Sequence, residues 1–185
     1  QTSNPITITI KPNPIVTVTN PIICDGQKAQ PIANGASSYT WTGGLAPVSN
    51  PTTPNLTTTT TYTVTGTTNG CVGTAISTVT VKPNPTVTVT SPSICSGFTA
   101  QPIASGASSY TWTNGLSPVS NPTTPNLTTT TTYTVTGTTN GCIGTATSTV
   151  TVKPNPTITV TSPSICSGFT AQPIASGASS YTWTN

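Results

Sequence analysis

Three properties of the chain point to an all-β protein, built of small tandem β-sandwich domains set end to end as a rod. The first is repetition: Lys11 to Val81 recurs as Lys82 to Val152 with eleven substitutions. Residues 153–185 then repeat the first 33 residues of the second copy with one change, Val87 to Ile158. The second is a period-two alternation of apolar residues with threonine, as in Thr86-Val87-Thr88-Val89-Thr90 and Thr149-Val150-Thr151-Val152, which marks a strand with one buried face. The third is dense punctuation by 19 prolines and 15 glycines, with no 3.6-residue apolar period.

The repeat sets the domain frame. Residues 11–81 and 82–152 are two sandwich repeats of 71 residues, and 153–185 is the truncated first half of a third. Residues 1–10 are the end of a preceding repeat or an N-terminal strand, because Thr7-Ile8-Thr9-Ile10 matches Thr78-Val79-Thr80-Val81.

In the second copy the expected strands are 86–91, 98–104, 108–113, 119–127, 131–138 and 144–152. Strand 86–91 follows from its alternation. Pro102 interrupts 98–104 and donates no ladder hydrogen bond, so that strand is an edge or carries a bulge. After the Ser105-Gly106 turn, Tyr110 and Trp112 share parity on 108–113 and point inward. Strand 119–127 follows the Asn114-Gly115 turn. Tyr133 and Val135 share parity on 131–138, Thr139-Asn140-Gly141 makes a tight hairpin, and Val150 and Val152 line the last strand. The expected core aromatics are Tyr39, Trp41, Tyr62, Tyr110, Trp112 and Tyr133. Lys82-Pro83-Asn84-Pro85 joins the copies directly, and two prolines in four residues make that joint short and semi-rigid.

Only Lys11, Asp25, Lys28, Lys82 and Lys153 carry formal charge, and the chain has no histidine. So thin a charge set argues against a phosphate-tracking surface and hence against nucleic-acid binding. It offers no carboxylate pair, no imidazole and no acidic cage, so no catalytic residue, cofactor or metal site is expected. No apolar run reaches membrane-spanning length, and residues 1–10 lack signal-peptide architecture.

Cysteines stand at 24, 71, 95, 142 and 166, two in each full repeat and one in the partial copy. An even number per repeat implies disulfides and an oxidising compartment. Economy favours Cys24–Cys71 and Cys95–Cys142, each closing a loop worth about 4 kcal/mol in the chain-entropy model. The alternative is Cys24–Cys142, because in a regular sandwich the entry to the second strand and the last hairpin lie at opposite ends.

Threonine runs at 57–61 and 128–132 suit exposed strand faces and keep an uncharged protein in solution. Dense Thr/Ser/Pro stretches also suit O-glycosylation, and Asn55-Leu56-Thr57 and Asn126-Leu127-Thr128 are formal sequons that make Asn55 and Asn126 glycan acceptors. Ice or crystalline-polysaccharide binding would need flat threonine rows, whereas small sandwiches twist.

The ordered series Ile94-Cys95-Ser96-Gly97, Ala104 to Trp112, Thr128 to Gly137 and Thr139-Asn140-Gly141-Cys142 resembles the immunoglobulin-like or PKD-like tandem repeats of large Bacteroidota surface proteins. Type IX-secreted gliding adhesins are examples of that family. The resemblance implies an extracellular, cell-surface string of immunoglobulin-like sandwiches that spaces, anchors or displays something, with no catalytic residues to carry over. The chain departs from that pattern at Pro102 and in how alike its copies are.

The resulting expectation is a structural or adhesive fibre: a stalk, an adhesin shaft or a surface filament. Its partners would be neighbouring repeats, further copies through self-assembly, and surface glycans. The alternative is a multivalent array of carbohydrate-binding modules. An enzyme is not expected, since every candidate residue is duplicated along the chain.

Overall fold

The computed structural model describes Ile6 and residues 8–184. Contacts divide the chain into two compact units, one running to Pro85 and including Thr138–Gly144, the other formed by Thr86–Gly137 and the residues from Thr145 onward.

The first unit holds β1 (Thr17–Val18), β2 (Ile22–Cys24), β3 (Ala33–Asn34), β4 (Ser38–Trp41), β5 (Thr60–Thr68) and β6 (Cys71–Lys82). They form a four-stranded sheet of order β2-β6-β5-β4 and a two-stranded sheet β1-β3. The β5–β6 hairpin is the backbone of the unit, pairing from Thr60↔Val79 to Thr68↔Cys71. Its two-residue turn has positive φ at Asn69 (51°) and Gly70 (80°), the combination whose twist matches that of the flanking strands. β4 adds antiparallel to β5, and β2 adds parallel to β6 with Cys24 opposite Lys82.

Alternation along the hairpin sends Tyr62, Val64 and Val79 inward. They meet Trp41, Leu45 and Leu56, together with Ala29 and Ala33 from the β1-β3 side, in one core. Two β layers sharing that core, with the first edge divided between them, are an immunoglobulin-like sandwich.

The division of that edge has a local cause. Pro21 has no N–H to continue an antiparallel ladder, and its carbonyl accepts from Thr80 N at 2.9 Å. The fully buried Ser77 hydroxyl donates to Thr19 O at 2.8 Å, and Asn20 Oδ1 accepts from Thr78 N at 2.8 Å. These bonds carry the chain from the β1-β3 layer to the β6 edge.

The second copy repeats the order with β7 (Thr88–Val89), β8 (Ser93–Cys95), β9 (Ala104–Ser105), β10 (Ser109–Trp112), β11 (Thr131–Thr139) and β12 (Cys142–Lys153), as β10-β11-β12-β8 and β7-β9. In the third copy β13 (Thr159–Val160) pairs with β14 (Ala175–Ser176). Trp183 is 58% exposed, whereas Trp41 and Trp112 are 9% exposed.

Several expected strands differ from those observed. Segment 86–91 is strand only at Thr88–Val89, and the separate edge strand β8, parallel to β12, was not anticipated. Segment 98–104 is strand only at its last residue, Ala104, where β9 begins, and 119–127 is not a strand. They approach through a Phe98↔Leu127 bridge and are then held by a threonine. Thr124 Oγ1 accepts from Ala100 N and donates to Pro125 O, both at 2.9 Å, while Thr124 N donates to Ala100 O. Prolines 102, 118, 122 and 125 cannot donate to a ladder, so a buried hydroxyl supplies part of the pairing. Pro102 is fully buried in this loop and is neither an edge-strand residue nor a bulge. The last strand is longer than 144–152, running from Cys142 to Lys153.

Among the described residues no helix is present. The expectation for residues 1–10 falls partly outside the described set. Of its described members, Ile6, Ile8, Thr9 and Ile10 are exposed and in no strand.

Candidate functional site

Chemistry concentrates where a hairpin tip meets a strand corner. Thr139-Asn140-Gly141-Cys142 turns through positive φ at Asn140 (52°) and Gly141 (83°), which brings Cys142 to the start of β12. The corner is the end of β2. There Cys24 N donates to Gln27 Oε1 at 3.2 Å and Asp25 N donates to Lys82 O at 2.8 Å. Asn84 Nδ2 donates to Asp25 O at 3.3 Å, tying the proline-flanked Asn84 to the same corner. Tip and corner belong to the same compact unit and line one cleft, with Ile22, Ile23, Gln27 and Lys82 beside Asn140 and Gly141.

In that cleft Cys24 is disulfide-bonded to Cys142, with Cα atoms 5.5 Å apart and 118 residues between them in sequence. The favoured pairings Cys24–Cys71 and Cys95–Cys142 are therefore corrected. Cys24 lies opposite Lys82 at the end of β6, whereas Cys71 begins that strand, eleven residues earlier. At about 3.3 Å per residue the two ends stand about 36 Å apart, far beyond the roughly 7 Å a disulfide spans between Cα atoms. The same register, Cys95 opposite Lys153 on a strand beginning at Cys142, separates the second pair.

Cys71, Cys95 and Cys166 are free thiols. Cys71 sits after a turn of the same form as the bonded one, and its Sγ lies 3.6 Å from Lys11 O.

Among the aromatics, Tyr62 and Tyr133 are buried in their cores, and Tyr39 and Tyr110 pack partly buried against them. Trp41 Nε1 donates to Val48 O and Trp112 Nε1 to Val119 O, both at 2.9 Å, which commits each indole to its own domain. The Tyr110 hydroxyl accepts from Ala107 N at 3.0 Å and donates to Ala107 O at 2.9 Å. Burial pushes the Tyr133 hydroxyl above the usual tyrosine range. Asn55 and Asn126 are exposed in loops. The threonine runs have internal partners: Thr59 Oγ1 accepts from Val81 N at 3.1 Å and Thr130 Oγ1 from Val152 N at 3.0 Å.

Gln27, which lines the joint beside Lys82, and the buried Thr53, Thr124, Ser77 and Ser148 were not singled out from sequence. One available signal was the recurrent Pro-Thr-Thr-Pro at 51–54 and 122–125, where a hydroxyl stands among residues poor in N–H donors. Among the described residues no group of three or more His, Cys, Asp or Glu side chains is placed to hold a metal ion, and no helix is long and apolar enough to cross a membrane.

No family model and no curated protein matches the chain. Solved structures with which it shares similarity include titin domains Z1Z2 in complex with telethonin, at 13% identity and TM-score 0.34, covering 80% of this chain and 100% of that one. A titin I-band fragment, I67–I69, gives 15% identity and TM-score 0.43, covering 80% and 68%. Extracellular domains 3–5 of Drosophila OTK give 11% identity and TM-score 0.42, covering 80% and 62%.

Proposed function

We propose that this chain is a segment of an extracellular structural or adhesive fibre, with repeats 11–81 and 82–152 as its sandwich modules. In this reading 153–185 opens a third module, 1–10 closes a preceding one, and the modules follow end to end as a rod. The observation that carries the reading is the Cys24–Cys142 bond, because it joins a corner in one copy of the repeat to the hairpin tip of the next copy. A bond within each repeat would protect only that repeat. A bond between copies also resists force applied at the joint, which is what a stalk, an adhesin shaft or a surface filament must withstand.

A disulfide in so small a module fits an oxidising, extracellular location. The resemblance of the repeat to Bacteroidota surface adhesins supports placement at a cell surface, with glycans as partners at sites along or beyond the rod. Exposed Asn55 and Asn126 are the positions such a fibre would offer for glycosylation. Carbohydrate binding along the rod finds no support at Trp41 or Trp112, whose rings are buried. Electron microscopy of purified surface fibres tests the reading: it predicts a thin shaft with a regular axial repeat, one module per 71 residues. Isolated globular particles would refute it.

A further inference from the structure

We infer that the open edge of each four-stranded sheet is a pairing surface for a second copy of this chain, joined side by side through β4 in the first module and β10 in the second. The pairing belongs to the sandwich itself and does not depend on the fibre reading, to which it adds lateral bundling of shafts.

β4 and β10 each have a strand on one side only. Thr42 N donates to Thr63 O at 3.0 Å, so Thr42 and, by alternation, Ser38 and Thr40 direct their backbone groups toward β5. Tyr39 and Trp41 then turn their N–H and C=O groups away from the sheet. Thr113 N donates to Thr134 O at 3.0 Å in the same way, which turns Tyr110 and Trp112 outward in the second module. The burial pattern is the same at Ser38–Trp41 and Ser109–Trp112: exposed, half-buried, exposed, buried. The first of these modules has a full copy after it and the second has one before it, so the open edge is a property of the repeat unit.

Sheet edges are ordinarily protected by charge, proline, a bulge or a covering strand. Ser38–Trp41 and Ser109–Trp112 contain neither a charged residue nor a proline, and β4 runs in unbroken register with β5 from Ser38↔Thr67 to Trp41↔Val64. No formal charge lies between Lys28 and Lys82 or between Lys82 and Lys153. The opposite edge differs: Pro21 stands before β2, Asp25 and Lys28 follow it, and Cys24 is bonded to Cys142. The edge free to pair is therefore β4, and β10 in the second module.

One register satisfies this edge completely. With two copies antiparallel about a two-fold axis at Thr40, Tyr39 of one meets Trp41 of the other, and both outward residues of each strand exchange N–H···O=C bonds. Thr40 then stands opposite Thr40 of the second copy at the closely spaced, non-hydrogen-bonded position, where threonines pair well across strands. The edge is thus its own complement in hydrogen bonds and carries no charge to select a different partner, which makes a second copy its occupant. A four-residue edge is a weak single contact, and the repeat presents it once per module.

The test uses the 185-residue protein with its free thiols alkylated, so that only non-covalent association is read. Sedimentation over a concentration series should show reversible self-association. Hydrogen exchange should show the backbone amides of Tyr39, Trp41, Tyr110 and Trp112 gaining protection as concentration rises, while those of Thr40 and Thr111, which face their own sheets, stay unchanged.

T40K combined with T111K sets like charges against each other at the axis and should abolish association, as should T40E combined with T111E. An equal mixture of the two double variants should restore it as a mixed dimer. T74K combined with T145K, at exposed positions of β6 and β12 away from the edge, should associate as the parent does. Tryptophan emission of each variant, matched to that of the parent, establishes that it is folded. A monomer at every concentration, association untouched by T40K with T111K, equal loss in T74K with T145K, or a mixture that fails to restore the dimer would overturn the inference. Protection of the same amides by an added extended peptide, in a protein that alone stays monomeric, would assign the edge to a foreign strand and overturn it as well. Each of those results leaves the electron-microscopy test of the fibre reading unaffected, since an unpaired shaft satisfies it.

Discussion

At the scale of single residues, hydroxyls do work that the backbone cannot. Thr124 is 3% exposed and satisfies Ala100 N in a loop whose prolines remove neighbouring donors. Thr124→Val keeps the shape and the β-branch but leaves that N–H buried without a partner. It should destabilise the domain by about 1–3 kcal/mol in denaturant titration, whereas Thr124→Ser, which keeps the hydroxyl, should lose less.

Tyr133 provides a pH test of core burial. Its hydroxyl ionises less readily folded than unfolded, since burial disfavours the phenolate. At pH values above the ordinary tyrosine value of 10.0, the unfolded chain therefore holds fewer protons than the folded one. Stability from this group is complete below that value and falls as pH rises past it. Thermal melts in alkaline buffer should show the decline in the parent and a shallower one in Tyr133→Phe.

At the scale of elements, the long hairpin organises each sandwich, and it was the most legible part of the sequence. Strict alternation around Tyr133 and Val135, and an Asn-Gly pair that needs positive φ at both positions, left little freedom for β11 and its turn. The loops were less legible. The strand reading of 98–104 and 119–127 expected ladder pairing between turn signals, whereas burial there depends on a threonine hydroxyl and on proline packing. The short edge strand β8 was hidden because its three residues pair parallel with a strand more than 50 positions away, a contact that no local pattern encodes.

Close approach at Gly137 is equally silent in a single sequence. A Cβ built there would lie 2.6 Å from both Ala107 Cβ and Val87 Cγ2. Gly137→Ala should therefore cost about 1–3 kcal/mol by overpacking, read as a shift in the denaturation midpoint at unchanged slope.

At the scale of the whole molecule, the cysteines separate two architectures that composition alone left open. Spacing in sequence favoured closure within a repeat. Register opposes it, because Cys24 and Cys71 sit at opposite ends of β6, and the length of one strand outweighs the economy of a shorter loop. With Cys24 and Cys142 bonded, the 118-residue separation between them is covalently locked. In the chain-entropy model a loop of this size contributes about 5 kcal/mol.

Single-molecule pulling between residues 11 and 152 tests this account most directly. Under reducing conditions each 71-residue repeat should unravel in a step of about 250 Å. Under oxidising conditions the chain between the bonded cysteines should stay locked, and both full steps should be lost until reductant is added. Two full repeat-length steps from oxidised protein would contradict the stapled joint, and with it the observation that carries the proposed function.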